Sequence, residues 1–159
     1  MPRKSLIAAV VVALGVSLAA ATPAAADKPV SEPAPFGEFT GQFCDGFAVR
    51  VRDTTNRGTL KVFSSGAAMV TGTLKVEVTN LATGKSIAVN VSGPARFSSE
   101  EPTLVGTGSW IFFGEPGFFG PGSPATLETN SGRFVINLID NSFLSRTGHR
   151  VELCPLLAG

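Results

Sequence analysis

Few residues in this chain carry reactive chemistry by local pattern. The single histidine, His149, stands beside Gly148 with no carboxylate or nucleophile next to it in sequence, so no histidine-centred triad is written in local order. Glu100 and Glu101 are adjacent acids, but they precede Pro102 in a turn-like stretch. Two-carboxylate hydrolysis requires only that the fold bring two acids together. Glu115 with Asp140 is one pair that a fold could join, and the spacing does not select it. G-x-S-x-G, H-E-x-x-H and Walker patterns do not occur, and two cysteines with one histidine fall short of a four-ligand zinc site. No catalytic residue, metal or cofactor is therefore expected, and a hydrolase of unfamiliar type is the third reading behind two non-catalytic ones.

Chemistry of contact is better represented. Leu104, Gly106, Gly108, Trp110 and Phe112 share one face of an alternating segment, with Val105, Thr107, Ser109, Ile111 and Phe113 on the other. Glycines beside a tryptophan on one strand face remove side chains where a sheet bends or where another group approaches. That predicts either a filled core corner or a pocket floored by glycine and walled by Trp110. The Gly/Pro-rich run Gly114–Pro124 then carries the adjacent pair Phe118 and Phe119. Such a run continues neither a helix nor a central strand. The pair is expected to pack down as a lid or to meet an apolar partner, or else Phe118 or Phe119 plugs the open end of the domain. Trp110, Phe112, Phe118 and Phe119 are thus the candidate contact residues, for a small apolar molecule or an extracellular protein.

These residues need elements to position them, and the elements read as strands. Apolar residues recur at two-residue spacing, and no helix-length stretch shows three- and four-residue spacing. Leu74, Val76 and Val78 alternate with polar neighbours, as do Ile87, Val89 and Val91, around Leu81-Ala82-Thr83-Gly84. Pairing Val78 with Ile87, Val76 with Val89 and Leu74 with Val91 places all six on one face, whereas a one-residue slip would oppose each with a polar partner. A second hairpin is predicted around Ser131-Gly132, with Thr129 opposite Phe134 and Leu127 opposite Ile136. Phe47–Val51, Leu60–Phe63 after the turn-like Asn56-Arg57-Gly58, Ala67–Val70, Leu104–Phe113 and Arg150–Cys154 read as further strands. About eight strands at this spacing predict an all-β fold: an antiparallel up-and-down β-barrel, or a closed β-sandwich.

The ends set location and organisation. Arg3 and Lys4 followed by apolar Leu6–Ala21 and Ala24-Ala25-Ala26 make an expected secretory signal peptide over residues 1–26, cleaved to leave no transmembrane anchor. Residues 27–35, DKPVSEPAP, read as a disordered linker, and 36–159 as one domain. Without Arg3 and Lys4, 11 basic side chains stand against 12 acidic ones, a net charge of −1 where the whole chain has +1. That balance, with basic residues scattered singly, argues against nucleic acid as a partner. In an exported, extracellular protein Cys44 and Cys154 are expected to pair. The bridge would close a loop of roughly 100 residues, stabilising by about 4–5 kcal/mol through the unfolded chain.

The segments FCDGFAVRV, TNLATGK running towards NVSGP, TGSW and HRVELC, spread over most of residues 36–159, resemble small secreted proteins of actinobacteria. The resemblance implies export and supports pairing of the two cysteines, and it brings no activity or site residues. The leading expectation is a non-catalytic secreted binding module. An envelope-associated structural protein without a ligand cavity is the alternative.

Overall fold

The computed structural model describes residues 28–98 and 100–159; the expected signal peptide lies outside the described residues. Among the described residues the strands are β1 Val30–Pro33, β2 Glu38–Cys44, β3 Phe47–Val62, β4 Ala68–Asn80, β5 Ser86–Asn90, β6 Ala95–Phe97, β7 Thr103–Gly106, β8 Ser109–Gly114, β9 Thr126–Ser131, β10 Phe134–Asn137, β11 Phe143–Arg146 and β12 His149–Glu152. A short helix, α1, follows at Cys154–Leu157.

The long ribbon β3–β4 forms because alternation runs through both strands. Val49, Val51, Val76 and Val78 are fully buried on its inner face. Val51 pairs with Val78 before the register shifts between Asp53 and Thr55, and Leu60 pairs with Val70 after it. The extra residue of this bulge, Thr54, moves the inward set on β3 from odd to even positions, so the same face stays inside on both sides of it. Gly58 lies opposite Gly72 in the ribbon, and Gly72 has φ +126°, open to glycine and strained for other residues. Two predicted short strands on either side of Asn56-Arg57-Gly58 are therefore one strand.

The hairpin predicted at Thr73–Val91 is present as read. Val78 pairs with Ile87 and Val76 with Val89, and the Val91 amide donates to the Leu74 carbonyl at 2.9 Å. All six apolar side chains pack into one core. Buried Asn80 holds the turn: its Oδ1 accepts from the Ala82 amide at 2.8 Å and its Nδ2 donates to the Leu157 carbonyl at 3.2 Å, tying α1 to the sheet.

The second predicted hairpin does not form. β9 pairs with β8 and β12, while β10 pairs with β7 and β11. Trp110 opposite Asn130 and Val105 opposite Val135 belong to one register, so β7–β8 and β9–β10 are two long strands bent midway. Their connection is the Gly/Pro run, and Ser131-Gly132 is a bend, not a turn. Gly108, Gly132 and Gly148 line up across the three bent strands. The Gly132 amide donates to the Gly108 carbonyl at 3.0 Å, and a methyl on Gly132 would lie 2.7 Å from the Gly148 Cα. Strands that switch sheets at such bends make the corner of an all-β fold.

Among the described residues the result is all-β, with antiparallel sheets and no closed barrel. One sheet holds nine strands, in the order β1-β3-β4-β6-β7-β10-β11 with β2 on β3 and β5 on β4; the other holds β12-β9-β8. Pairing of β4 with β6 past β5 departs from the predicted up-and-down order. The strand count exceeds the predicted eight because β1, β2, β6 and β11 add to the predicted set and the bend at Gly108 divides Leu104–Phe113 into β7 and β8. Both sheets contribute to one core, with Val49, Val51, Val76 and Val78 meeting Ile111, Leu127, Leu153 and Leu157. A smaller aromatic core of Phe112, Phe134 and Ile136 fills the crook of the three-glycine corner.

Cys44 and Cys154 are bonded, with Cα atoms 5.6 Å apart, joining the end of β2 in the large sheet to the first residue of α1. Within the stretch predicted as disordered linker, Val30–Pro33 forms β1 on the edge of β3. Its four side chains are all exposed, so it lacks the alternation that marks a half-buried strand. No helix among the described residues is long and apolar enough to cross a membrane.

Candidate functional site

The ribbon β3–β4 lines a cavity of about 440 Å³. Its floor is one face of the ribbon, with Gly58 and Leu60 on β3 and Ala68, Val70, Gly72 and Leu74 on β4. Val91, Gly93, Trp110 and Ile111 form one wall, and Ala34, Pro35 and Phe36 another. The cavity continues the main core: Leu74, Val91 and Ile111 belong to both. Gly58, Ala68 and Gly72 stand in the lining where valines fill the interior further along the ribbon.

Of the polar side chains in the lining, Asn56 and Trp110 are engaged within the protein, and Thr71 stands beside them. Asn56 Nδ2 donates to the Ala34 carbonyl and its Oδ1 accepts from the Gly58 amide, both at 3.0 Å. Trp110 Nε1 donates to the Thr107 carbonyl at 2.9 Å. With these atoms paired locally, the site favours an apolar occupant, since a polar ligand would lose hydrogen bonds to water without replacement. The volume falls within the range of small-molecule pockets, about 300–1,000 Å³.

Of the four predicted contact residues, Trp110 alone lines this cavity. Gly93 lets it lie there, because a methyl on Gly93 would stand 2.8 Å from Trp110 Cδ1. The glycine floor is not the predicted one. At Gly106 the Phe134 ring occupies the space a side chain would need, and Gly108 is part of the bend at φ +83°. Phe112 is buried in the aromatic core, edge-on to Phe134 at 4.9 Å and to Phe143 at 5.0 Å. Phe119 stacks on Phe143 at 5.1 Å, while Phe118 rests edge-on against it and stays half exposed. Of the two, Phe119 is the one that packs down on the aromatic core. Sequence reading missed Gly58, Gly72 and Gly93; small residues in an apolar alternation were their only signal.

A second, polar cleft of about 660 Å³ is lined by Asp45, Glu128, Glu152, Arg146 and Arg150, with Phe119 and Phe143 at its side. Glu128 and Glu152 are cross-strand partners, close enough in principle for two-carboxylate chemistry. Glu128 is committed elsewhere: it forms an ion pair with Arg146, whose guanidinium lies 4.2 Å from the centre of the Phe143 ring. The pair clamps β9 to β11 across the glycine corner.

The remaining acids do not converge. The Glu115 carboxylate lies against Gly41. Asp140 Oδ1 accepts from the Ser142 amide at 3.0 Å and its hydroxyl at 2.7 Å, hydrogen bonds that hold its carboxyl below the usual carboxylate range. His149 is exposed at the start of β12. No cluster of three or more His, Cys, Asp or Glu side chains suited to a metal occurs among the described residues.

No family model, curated protein or solved structure matches this chain. Fold and site together define a class only: an all-β, disulfide-linked domain of antiparallel sheets with an apolar cavity.

Proposed function

We propose that the chain is a non-catalytic, exported binding module whose two sheets, arranged like a sandwich, hold a small apolar molecule in the cavity walled by Trp110. One observation carries the reading: a cavity of about 440 Å³ whose lining is apolar and whose polar atoms on Asn56 and Trp110 are paired within the protein. Export rests on the signal-like residues 1–26 and is compatible with the Cys44–Cys154 bond.

The chain supplies its own reporter, since it has one tryptophan and no tyrosine. Titrating the protein with the neutral dye N-phenyl-1-naphthylamine is expected to quench Trp110 emission saturably at one dye per chain. Native mass spectrometry of protein from its own culture medium is expected to show a retained apolar mass. Unchanged emission together with the bare protein mass rejects this reading and favours an envelope-associated structural role.

A further inference from the structure

The floor of the cavity is built from strands held on both sides, and its Val91–Ile111 wall is anchored by side chains buried in the main core. β3 and β4 pair with each other along their length, and each carries further strands. The wall formed by Ala34, Pro35 and Phe36 is different. It continues from β1, which pairs with β3 alone and buries none of its own side chains. Pro33 and Pro35 offer no amide donors. The Ala34 amide donates to the Gly58 carbonyl at 3.0 Å, and the Ala34 carbonyl accepts from Asn56 Nδ2 at 3.0 Å. Gly58 lets this segment lie close, because a methyl there would stand 2.8 Å from Ala34 Cβ. After Phe36, which packs edge-on to Phe39 at 5.5 Å, comes Gly37, with open space where a side chain would be.

We propose that Val30–Phe36 is a strap over the apolar cavity, hinged at Gly37, which lifts from β3 to admit and release the ligand. The proposal rests on the ligand reading above and adds its route of access. Lifting the strap breaks one edge pairing, the two Ala34 hydrogen bonds and the packing of Phe36, whereas opening the floor separates β3 from β4 along their length and opening the opposite wall uncovers Val91 and Ile111, both buried in the main core. Segments of low local stability are where such opening occurs.

The test bridges the strap to β3. Ser31 pairs directly with Lys61, and neither lines the cavity. The double variant Ser31→Cys, Lys61→Cys, with its new bridge verified by mass, is compared with wild type in stopped-flow exchange of N-phenyl-1-naphthylamine read by Trp110 emission. Association and release are expected to slow by about tenfold or more at little-changed affinity, as for a locked lid. Reducing the new bridge while Cys44–Cys154 stays intact is expected to restore both rates. Unchanged rates in the bridged protein overturn the strap and leave the ligand reading standing. Absence of dye binding in wild type removes the ligand reading first.

Native-state hydrogen exchange tests the strap without a ligand and without a variant. The Ala34 amide is expected to exchange by local opening, insensitive to low denaturant. Exchange of that amide only through the global unfolding that exposes the Val78 amide overturns the proposal.

Discussion

Replacing Val70 by phenylalanine turns the cavity into a stability measurement. Val70 lies on the floor, between Ala68 and Gly72 on β4 and opposite Leu60 on β3, and both residue types suit a strand. The exchange adds about four carbons, and at about 0.8 kcal/mol per buried methylene the upper bound is near 3 kcal/mol. Restricting the ring and leaving part of it at the cavity mouth removes about half. The expected gain is therefore about 1.5 kcal/mol, or about 5 °C in Tm for a domain of this size. In a filled interior the same enlargement costs about 1–3 kcal/mol instead, so the sign decides. Val51→Phe, at a fully buried position in the filled part of the core, supplies that opposite sign as a control. Urea unfolding followed by Trp110 emission, with m unchanged, measures both. Dye binding should weaken in Val70→Phe. A loss of 1 kcal/mol or more in Val70→Phe, with dye binding intact, would show that side chains already fill this space.

Two further substitutions probe the glycine corner. Gly148→Ala is expected to cost about 3 kcal/mol or more, through a left-handed backbone and a methyl forced onto the next strand; Gly148 has φ +100° and its Cβ would lie 2.7 Å from the Gly132 Cα. Gly46→Ala, at φ +90° with nothing within 4 Å, should cost only the backbone part, about 1–2 kcal/mol, and equal losses at the two sites would refute the corner. Arg146→Ala is expected to lose about 3 kcal/mol by leaving the Glu128 carboxylate buried without its partner, since the two side chains are only 16% and 10% exposed. Combining it with Glu128→Gln should recover about 1 kcal/mol or more in a double-mutant cycle, and additive losses would show that the two act independently.

What sequence could reveal was set by distance along the chain. The β4–β5 hairpin was legible because its partners lie either side of a four-residue connection, and one-residue slips are penalised by every side chain. The disulfide was legible because Cys44 and Cys154 have no other cysteine to choose. Ser131-Gly132, by contrast, reads locally as a turn between alternating runs. Only Gly108 and Gly148, remote in sequence and adjacent in space, show it to be a fold line. Asn56-Arg57-Gly58 misleads in the same way, because its meaning comes from Gly72 across the ribbon. β1 was hidden for another reason: an edge strand exposed on both faces has no apolar rhythm to read. Trp110 was found as a cavity wall, but its glycine floor was assigned within its own strand, while the floor that exists comes from β3 and β4.

The two glycine-bearing regions argue about function by their difference. Both the ribbon and the three-strand corner give up side chains where backbones approach closely. At the corner the lost volume is taken up by aromatic rings, with Phe134 over Gly106 and Phe112, Phe119 and Phe143 packed around it. Along the ribbon the Trp110 ring lies against Gly93 and Ala34 against Gly58, yet a cavity of about 440 Å³ stays open between them. A chain with 12 phenylalanines fills one such space and leaves the other. Leaving it forgoes dispersion and burial that a single larger residue at Ala68 or Val70 would regain. A ligand that supplies those contacts when bound accounts for the retained cavity, because binding to the folded state alone stabilises it by mass action.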